Sequence, residues 1–211
     1  INAMHYIRGA AANYDEWRDT YGAEGWGWEQ VLPAFKQVQG RVSAPDDNHG
    51  YEGPLSVQDI DPLNPLTDAF FDACSALGIP RIADMNGADQ YGCSPYQVTQ
   101  KGNKRCSAAA AYLHPAMARP NLRVITHALA SRVLLEGTRA TGVEYKQGKN
   151  AQSIMARREV ILSGGAINTP QLLQLSGIGD ADWLREAGVT PTIDLPGVGR
   201  NLQDHLDVLG K

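Results

Sequence analysis

Val31, Leu32, Phe35 and Val38 recur at helical spacing, so a helix is predicted over 28–39, with a shorter one before it over 11–20. A third helix is predicted from Asn64-Pro65, which supplies a start, to Gly78, which supplies a stop. Phe70, Phe71, Cys74 and Leu77 would form its buried side. Residues 40–54 hold Ser43, Pro45, Asp46, Asp47, Asn48, Gly50, Gly53 and Pro54 and read as a long polar loop. Leu55 to Gln58 suits a short strand, and the alanine-rich run Ser107 to Met117 suits a helix. The texture then changes. Strands are predicted over Leu122 to Thr126, Arg132 to Glu136, Arg139 to Tyr145 and Ser153 to Ala156. Gly137-Thr138 and Gln147-Gly148 would turn the chain between them, which gives an antiparallel meander.

The stretch from Glu159 to Gly179 is the most informative. Val160, Ile161 and Leu162 form a compact apolar run suited to a buried parallel strand over 158–163. Gly164 and Gly165 follow, leaving backbone free to turn sharply or lie against a ligand. Thr169 is placed as an N-cap with Pro170 at the first helical position, and Gly177 as a left-handed C-cap. Strand, bare turn and helix N-terminus suit a dinucleotide, although an ordinary strand–turn–helix reads the same way on physical grounds. One more short helix is predicted over 180–187, and Pro191 to Gly199 reads as extended and turn-rich.

Composition narrows the class. The 211 residues are 43% hydrophobic and 20% charged, ordinary for a globular protein with a real core. A net charge of −4, with no long basic cluster, argues against nucleic acid as a partner. No apolar run approaches a membrane span. Cys74, Cys93 and Cys106 make neither a C-x-x-C pair nor an even set, so reduced thiols and a cytoplasmic setting are expected, or a membrane-peripheral one for a longer form. The histidines lack metal-ligand spacing, so no metal site is expected, and Gly-x-Ser-x-Gly is absent.

Gly165, Ala166, Thr169, Pro170, Leu172, Leu173 and Ser176-Gly-Ile-Gly179 together resemble the second signature of the glucose–methanol–choline (GMC) oxidoreductases. The resemblance extends to Asn2-Ala-Met-x-Tyr-Ile-Arg-Gly9, Gly53-Pro-Leu-x-Val57, Asn86-Gly87, Arg105-x-Ser-Ala-Ala109, Gly142-Val-Glu-Tyr145 and Leu195-Pro-Gly-Val-Gly-x-Asn-Leu-Gln-Asp-His205. It is strongest toward the choline-dehydrogenase-like, aliphatic-alcohol branch. The family's opening Gly-x-Gly-x-x-Gly and its closing histidine-bearing segment have no match, so an internal piece of a longer protein is expected. The resemblance implies a mixed α/β and α+β chain, a partial Rossmann-like FAD-binding domain with a β-meander, interleaved with part of a substrate domain. Residues 1–50 and 120–179 would belong to the flavin domain, and 51–119 and 180–211 to the substrate domain.

The implied activity is oxidation of a primary alcohol by hydride transfer to flavin N5, with a small-molecule alcohol as substrate and oxygen or a quinone-type carrier as electron acceptor. A hydroxynitrile-lyase-like chemistry or an inactive fragment are the alternatives. Implied cofactor contacts are Asn2, Ala3, Met4 and His5 beside the isoalloxazine, the Ala130 backbone at adenine, and Ser163 and Gly164 along the adenosine half. Some relatives tether flavin through a histidine at the position of Ile1, so isoleucine there implies non-covalent FAD. The family's catalytic base has no counterpart here. His205, beside Asp204, is the nearest local rival, and with Asn201 it is expected to hold a domain interface instead.

Overall fold

The computed structural model describes residues 4–42 and 46–204. Contacts divide the chain into one unit ending at Arg123 and a second beginning at Val124.

In the first unit, β1 (His5–Tyr6) leads into α1 (Ala11–Asp19) and α2 (Trp28–Val38), both close to their predicted bounds. The helices meet through rings, with Tyr14 5.6 Å from Trp28 and 5.8 Å from Phe35 between centroids. Gly27 offers no capping side chain to α2, and Asp15 of α1 accepts the orphan Trp28 N–H at 3.0 Å instead. β2 (Gln39–Arg41) follows and pairs in parallel with β3 (Leu55–Val57), Gly40 opposite Ser56. Glycines let the intervening loop lie on the end of α2. A Cβ on Gly53 would come within 2.3 Å of the Val38 carbonyl carbon, and one on Gly50 within 1.7 Å of the Lys36 oxygen.

α3 (Pro65–Ala76) begins as expected, since the Asn64 side chain accepts the Leu66 N–H at 2.9 Å, and it ends at Gly78 with φ +83°. Its buried stripe is narrower than the predicted one. Phe71 and Cys74 are buried, but Phe70 and Leu77 are 62% and 81% exposed. Among the described residues, Cys93 and Leu63 pack on the Phe71/Cys74 edge and the Arg81 guanidinium lies 4.8 Å over the Phe71 ring, while Phe70 and Leu77 stay outside that cluster. β4 (Gln97–Val98) pairs with β1, and β5 (Gln100–Lys101) with β6 (Lys104–Arg105). The predicted helix at 107–117 forms, but it opens with a π turn over Ala109–Leu113, closed by the His114 N–H on the Ala109 carbonyl, before the short α4 (His114–Ala116).

The second unit contains the meander. β7 (Leu129–Glu136), β8 (Arg139–Gln147) and β9 (Asn150–Met155) form an antiparallel sheet in that order. The second turn falls one residue later than expected, at Gly148-Lys149. The strand predicted at 122–126 does not form: the β7–β8 ladder ends with Leu129 opposite Lys146, and no described strand pairs with those residues. The Gln147 side chain donates to the Thr126 carbonyl at 3.0 Å. The buried parallel strand predicted at 158–163 is also absent. No described strand lies beside it, and Ile161 stands 77% exposed.

α5 (Gly165–Leu175) begins earlier than Thr169-Pro170 implied. Thr169 serves the helix start from within, its hydroxyl accepting the Gly164 N–H at 3.0 Å, and Pro170 sits inside the helix. The far end is as expected, with Gly177 at φ +81° and its N–H on the Gln174 carbonyl at 2.9 Å. The next residues form β10 (Ile178–Gly179), parallel to β11 (Ile193–Asp194), with α6 (Ala181–Glu186) between them capped by Asp180.

Gly165 takes φ +88° with open space around it. Gly165→Ala would place a Cβ in the left-handed region, at a cost of about 1–2 kcal/mol. Amides at the start of α5 are expected to exchange about tenfold faster in the variant, measured by hydrogen exchange with mass spectrometry.

Candidate functional site

In the first unit the segment from Met4 runs along β4. The Met4 carbonyl accepts the Thr99 N–H at 2.8 Å and its hydroxyl at 3.3 Å, and His5 stands opposite Val98. Met4 adopts φ +71°, rare for a residue with a side chain and a conformation that clusters at ligand sites. The His5 ring stacks on Tyr96 at 4.3 Å between centroids and 14° between planes. Asn2 and Ala3 lie outside the described residues.

Behind this segment is a buried polar network that spacing alone did not expose. The Asn86 side chain accepts the Arg8 N–H at 2.7 Å and donates to the Tyr6 carbonyl at 3.0 Å and to Gln97 Oε1 at 2.9 Å. The Arg8 guanidinium donates to the Asn48 carbonyl and to Gln39 Oε1, both from the loop side. Asp84 continues the network, receiving Arg41 at 2.5 Å and Gln97 Nε2 at 2.9 Å.

His49, 2% exposed, belongs to this cluster, 2.8 Å from Asp46 Oδ1 and 3.4 Å from Asp84 Oδ2. Burial pushes the Asp46 carboxyl up, but hydrogen bonds from His49 and the Asn48 N–H, with Arg41 near, leave it below its ordinary value. Burial raises Tyr112, helped by the adjacent Tyr6 and Cys106. The network holds the main chain of Tyr6 and Arg8 against the loop at 48–50. The available signal was Asn86-Gly87, which was matched as a motif without the chemistry it carries.

The second unit carries the other candidates. Ala130 pairs with Tyr145, while Arg132 pairs with Glu144, so Ser131 is an extra residue on β7. The result is a β-bulge directly after Ala130, a device that re-aims a strand and recurs beside binding sites. The Ser131 hydroxyl anchors the bulge on Glu144 Oε1 at 2.9 Å. Ser163 and Gly164 are exposed at the end of the unpaired run and the start of α5, where no side chain caps the helix from Gly164. α5 is fixed to β7 by Ser176, whose hydroxyl accepts the Val133 N–H at 2.8 Å and donates to the Leu172 carbonyl at 2.6 Å. Met4 and His5 therefore share one surface in the first unit, and Ala130, Ser163 and Gly164 lie in the second.

The family model described as GMC oxidoreductase matches residues 1–207. The chain belongs to the GMC oxidoreductase family. It is 48% identical over 211 residues to an oxygen-dependent choline dehydrogenase of Burkholderia pseudomallei, covering 99% of this chain and 37% of that protein. The chain thus spans little more than a third of the length of this relative. Among solved structures it resembles a pyridoxine 4-oxidase from Mesorbium loti, at TM-score 0.85 and 34% identity, covering 92% of this chain and 38% of that one. An FAD-dependent oxidoreductase from Chaetomium thermophilum matches at TM-score 0.90 and 31% identity, covering 97% and 38%.

FAD is the cofactor that goes with this GMC chain, and its described residues fit such a group. The backbone N–H groups that open α5 lack a side-chain cap and face exposed glycine, which suits an anionic or polar ligand edge. Bare main chain from Glu159 to Gly164 has no described strand to pair with. Tyr6 Oη, buried and without a partner among the described residues, lies two residues beyond the strained Met4. No group of His, Cys, Asp and Glu among the described residues could hold a metal ion. His205 lies outside the described residues, and Asn201 before it takes φ +55°. No described helix is long and apolar enough to cross a membrane.

Proposed function

We propose that this chain supplies part of the flavin cradle and scaffold of an enzyme that oxidises a primary alcohol, choline-like or aliphatic, to its aldehyde. The reading is carried by 48% identity, across 99% of the chain, to oxygen-dependent choline dehydrogenase. Bound FAD supplies the hydride acceptor, at flavin N5. The chain's own residues hold and orient it. Asn2, Ala3, Met4 and His5 are assigned to the ring side by the family resemblance, where main-chain N–H groups would stabilise the negative charge that accompanies reduction. The Ala130 backbone, next to the bulge at Ser131, would read adenine, and Ser163 and Gly164 would hold the adenosine half.

Ile1 offers no nucleophile for tethering, so the FAD is held without a covalent bond. Residues 1–50 and 120–179 serve the flavin domain, and 51–119 and 180–211 the substrate domain. Oxygen or a quinone-type carrier takes up the electrons.

The test is expression of the complete reading frame that carries this chain. A yellow protein that releases FAD on acid precipitation, and whose visible band bleaches with choline under nitrogen, is the expected result. A colourless product, or a yellow one that no primary alcohol bleaches, would overturn the proposal.

A further inference from the structure

Cys74 and Cys93 lie in one buried cluster with Phe71, with Leu63 packed against it, and each of the two residues is 9% exposed. The segment Ile79 to Ile82 bonds to the backbone of both. The Ile79 N–H donates to the Cys74 carbonyl at 2.9 Å, and the Cys93 N–H to the Pro80 carbonyl at 2.9 Å. The Ile82 N–H returns to the Cys93 carbonyl at 3.0 Å. Gly92 permits this approach, since a Cβ there would stand 2.5 Å from the Pro80 oxygen. Cys106 is buried outside this cluster, its sulfur accepting the Ser56 N–H at 3.4 Å. All three cysteines are free in this structure.

We propose that Cys74 and Cys93 form a thiol pair that peroxide closes to a disulfide joining α3 to the segment at Cys93, with Cys106 excluded. The inference is independent of the flavin reading, because the oxidant it names is hydrogen peroxide from any source. One sulfur, as thiolate, attacks a peroxide oxygen. The O–O bond breaks, a first water leaves after protonation, and a sulfenic acid remains. The second sulfur attacks the sulfenic sulfur, the S–O bond breaks, and a second water carries off the second thiol proton. Two thiols are oxidised by two electrons while one peroxide becomes two waters.

Geometry sets the partner and burial sets the pace. Burial, with the Cys93 thiol alongside, pushes the Cys74 thiol above its ordinary value, so little thiolate exists at neutral pH. Closure is therefore slow at pH 7 and accelerates as pH rises. The bond would tie down about 20 residues of loop, a length at which cross-linking narrows the unfolded ensemble substantially.

The test treats the folded protein with hydrogen peroxide, alkylates residual thiols after denaturation, and maps the peptides by mass spectrometry. The expected map shows the Cys74 and Cys93 peptides joined, lighter by two hydrogens, with Cys106 alkylated. The same treatment in guanidinium should scatter the links over all three cysteines. Links to Cys106 in the folded protein would overturn the pairing. So would separate sulfinic acids at Cys74 and Cys93, or three alkylated thiols after exposure at both pH 7 and pH 9. The variant Cys106→Ser should leave the 74–93 link intact; its loss there would also overturn the assignment.

Discussion

Asn86→Ala is expected to destabilise the first unit by about 2–4 kcal/mol, because a buried amide that satisfies three polar groups cannot be removed without leaving them unpaired. The Arg8 N–H, the Tyr6 carbonyl and Gln97 Oε1 each lose a partner at 2.7, 3.0 and 2.9 Å respectively. Asn86 is only 2% exposed, so water does not replace the lost amide in place. The affected chain is Tyr6 to Arg8, directly after Met4 and His5, which the flavin reading assigns to the ring system. Urea unfolding followed by tryptophan emission reads this well, since Trp17, Trp26 and Trp28 all belong to the first unit and only Trp183 to the second. Asp72→Ala, on the exposed side of α3, is the control and should move stability by no more than about 0.5 kcal/mol. A midpoint for Asn86→Ala indistinguishable from that control would show that the network is not a structural linchpin.

Gly50→Ala should be at least as damaging, for a steric reason. The added carbon would lie 1.7 Å from the Lys36 carbonyl oxygen and 2.5 Å from its carbon, and neither is a flexible side-chain end. Either the loop lifts or the last turn of α2 unwinds, and about 3 kcal/mol is lost by overpacking. Lifting the loop breaks the hydrogen bond from the Arg41 N–H to the Gly50 carbonyl at 2.9 Å and draws His49 away from Asp84. Limited proteolysis should then cut between Asp46 and Gly50 faster than in the parent. Gly197→Ala, which meets nothing within 4 Å and needs no unusual backbone, should behave as the parent does. Equal protease resistance in both variants would refute the close packing of the loop on α2.

Much of this architecture was legible in the residues. α1, α2 and α3 announce themselves by spacing and by caps such as Asn64 and Gly78, which act locally and need no knowledge of distant chain. The meander was legible for the same reason, through alternation and glycine turns. The misses share a cause. Residues 122–126 and 158–163 have strand composition, but a strand exists only where a neighbour offers hydrogen bonds, and composition says nothing of neighbours. Thr169 was misread because a hydroxyl can serve a helix start from inside the first turns as well as from the cap.

At the site, the signature residues pointed to the correct family, whereas the polar network could not be foreseen. Arg8, Gln39, Asn86 and Gln97 are far apart in sequence, and their types are equally common on surfaces. The bulge at Ser131 was hidden too, since an extra residue in a ladder is defined only by the strand across from it.

The π turn over Ala109–Leu113 makes the length of the alanine tract matter more than its composition. A coil wound one residue loose holds Tyr112 where its hydroxyl reaches the Val38 carbonyl at 3.5 Å. Excising a single alanine within it would remove the extra residue, so the segment would tighten to ordinary winding, the later side chains would keep their phase, and only the loose turn that carries Tyr112 would be redrawn. A change that is chemically almost silent would thereby cost the reach of Tyr112 to Val38 while leaving α4 in register.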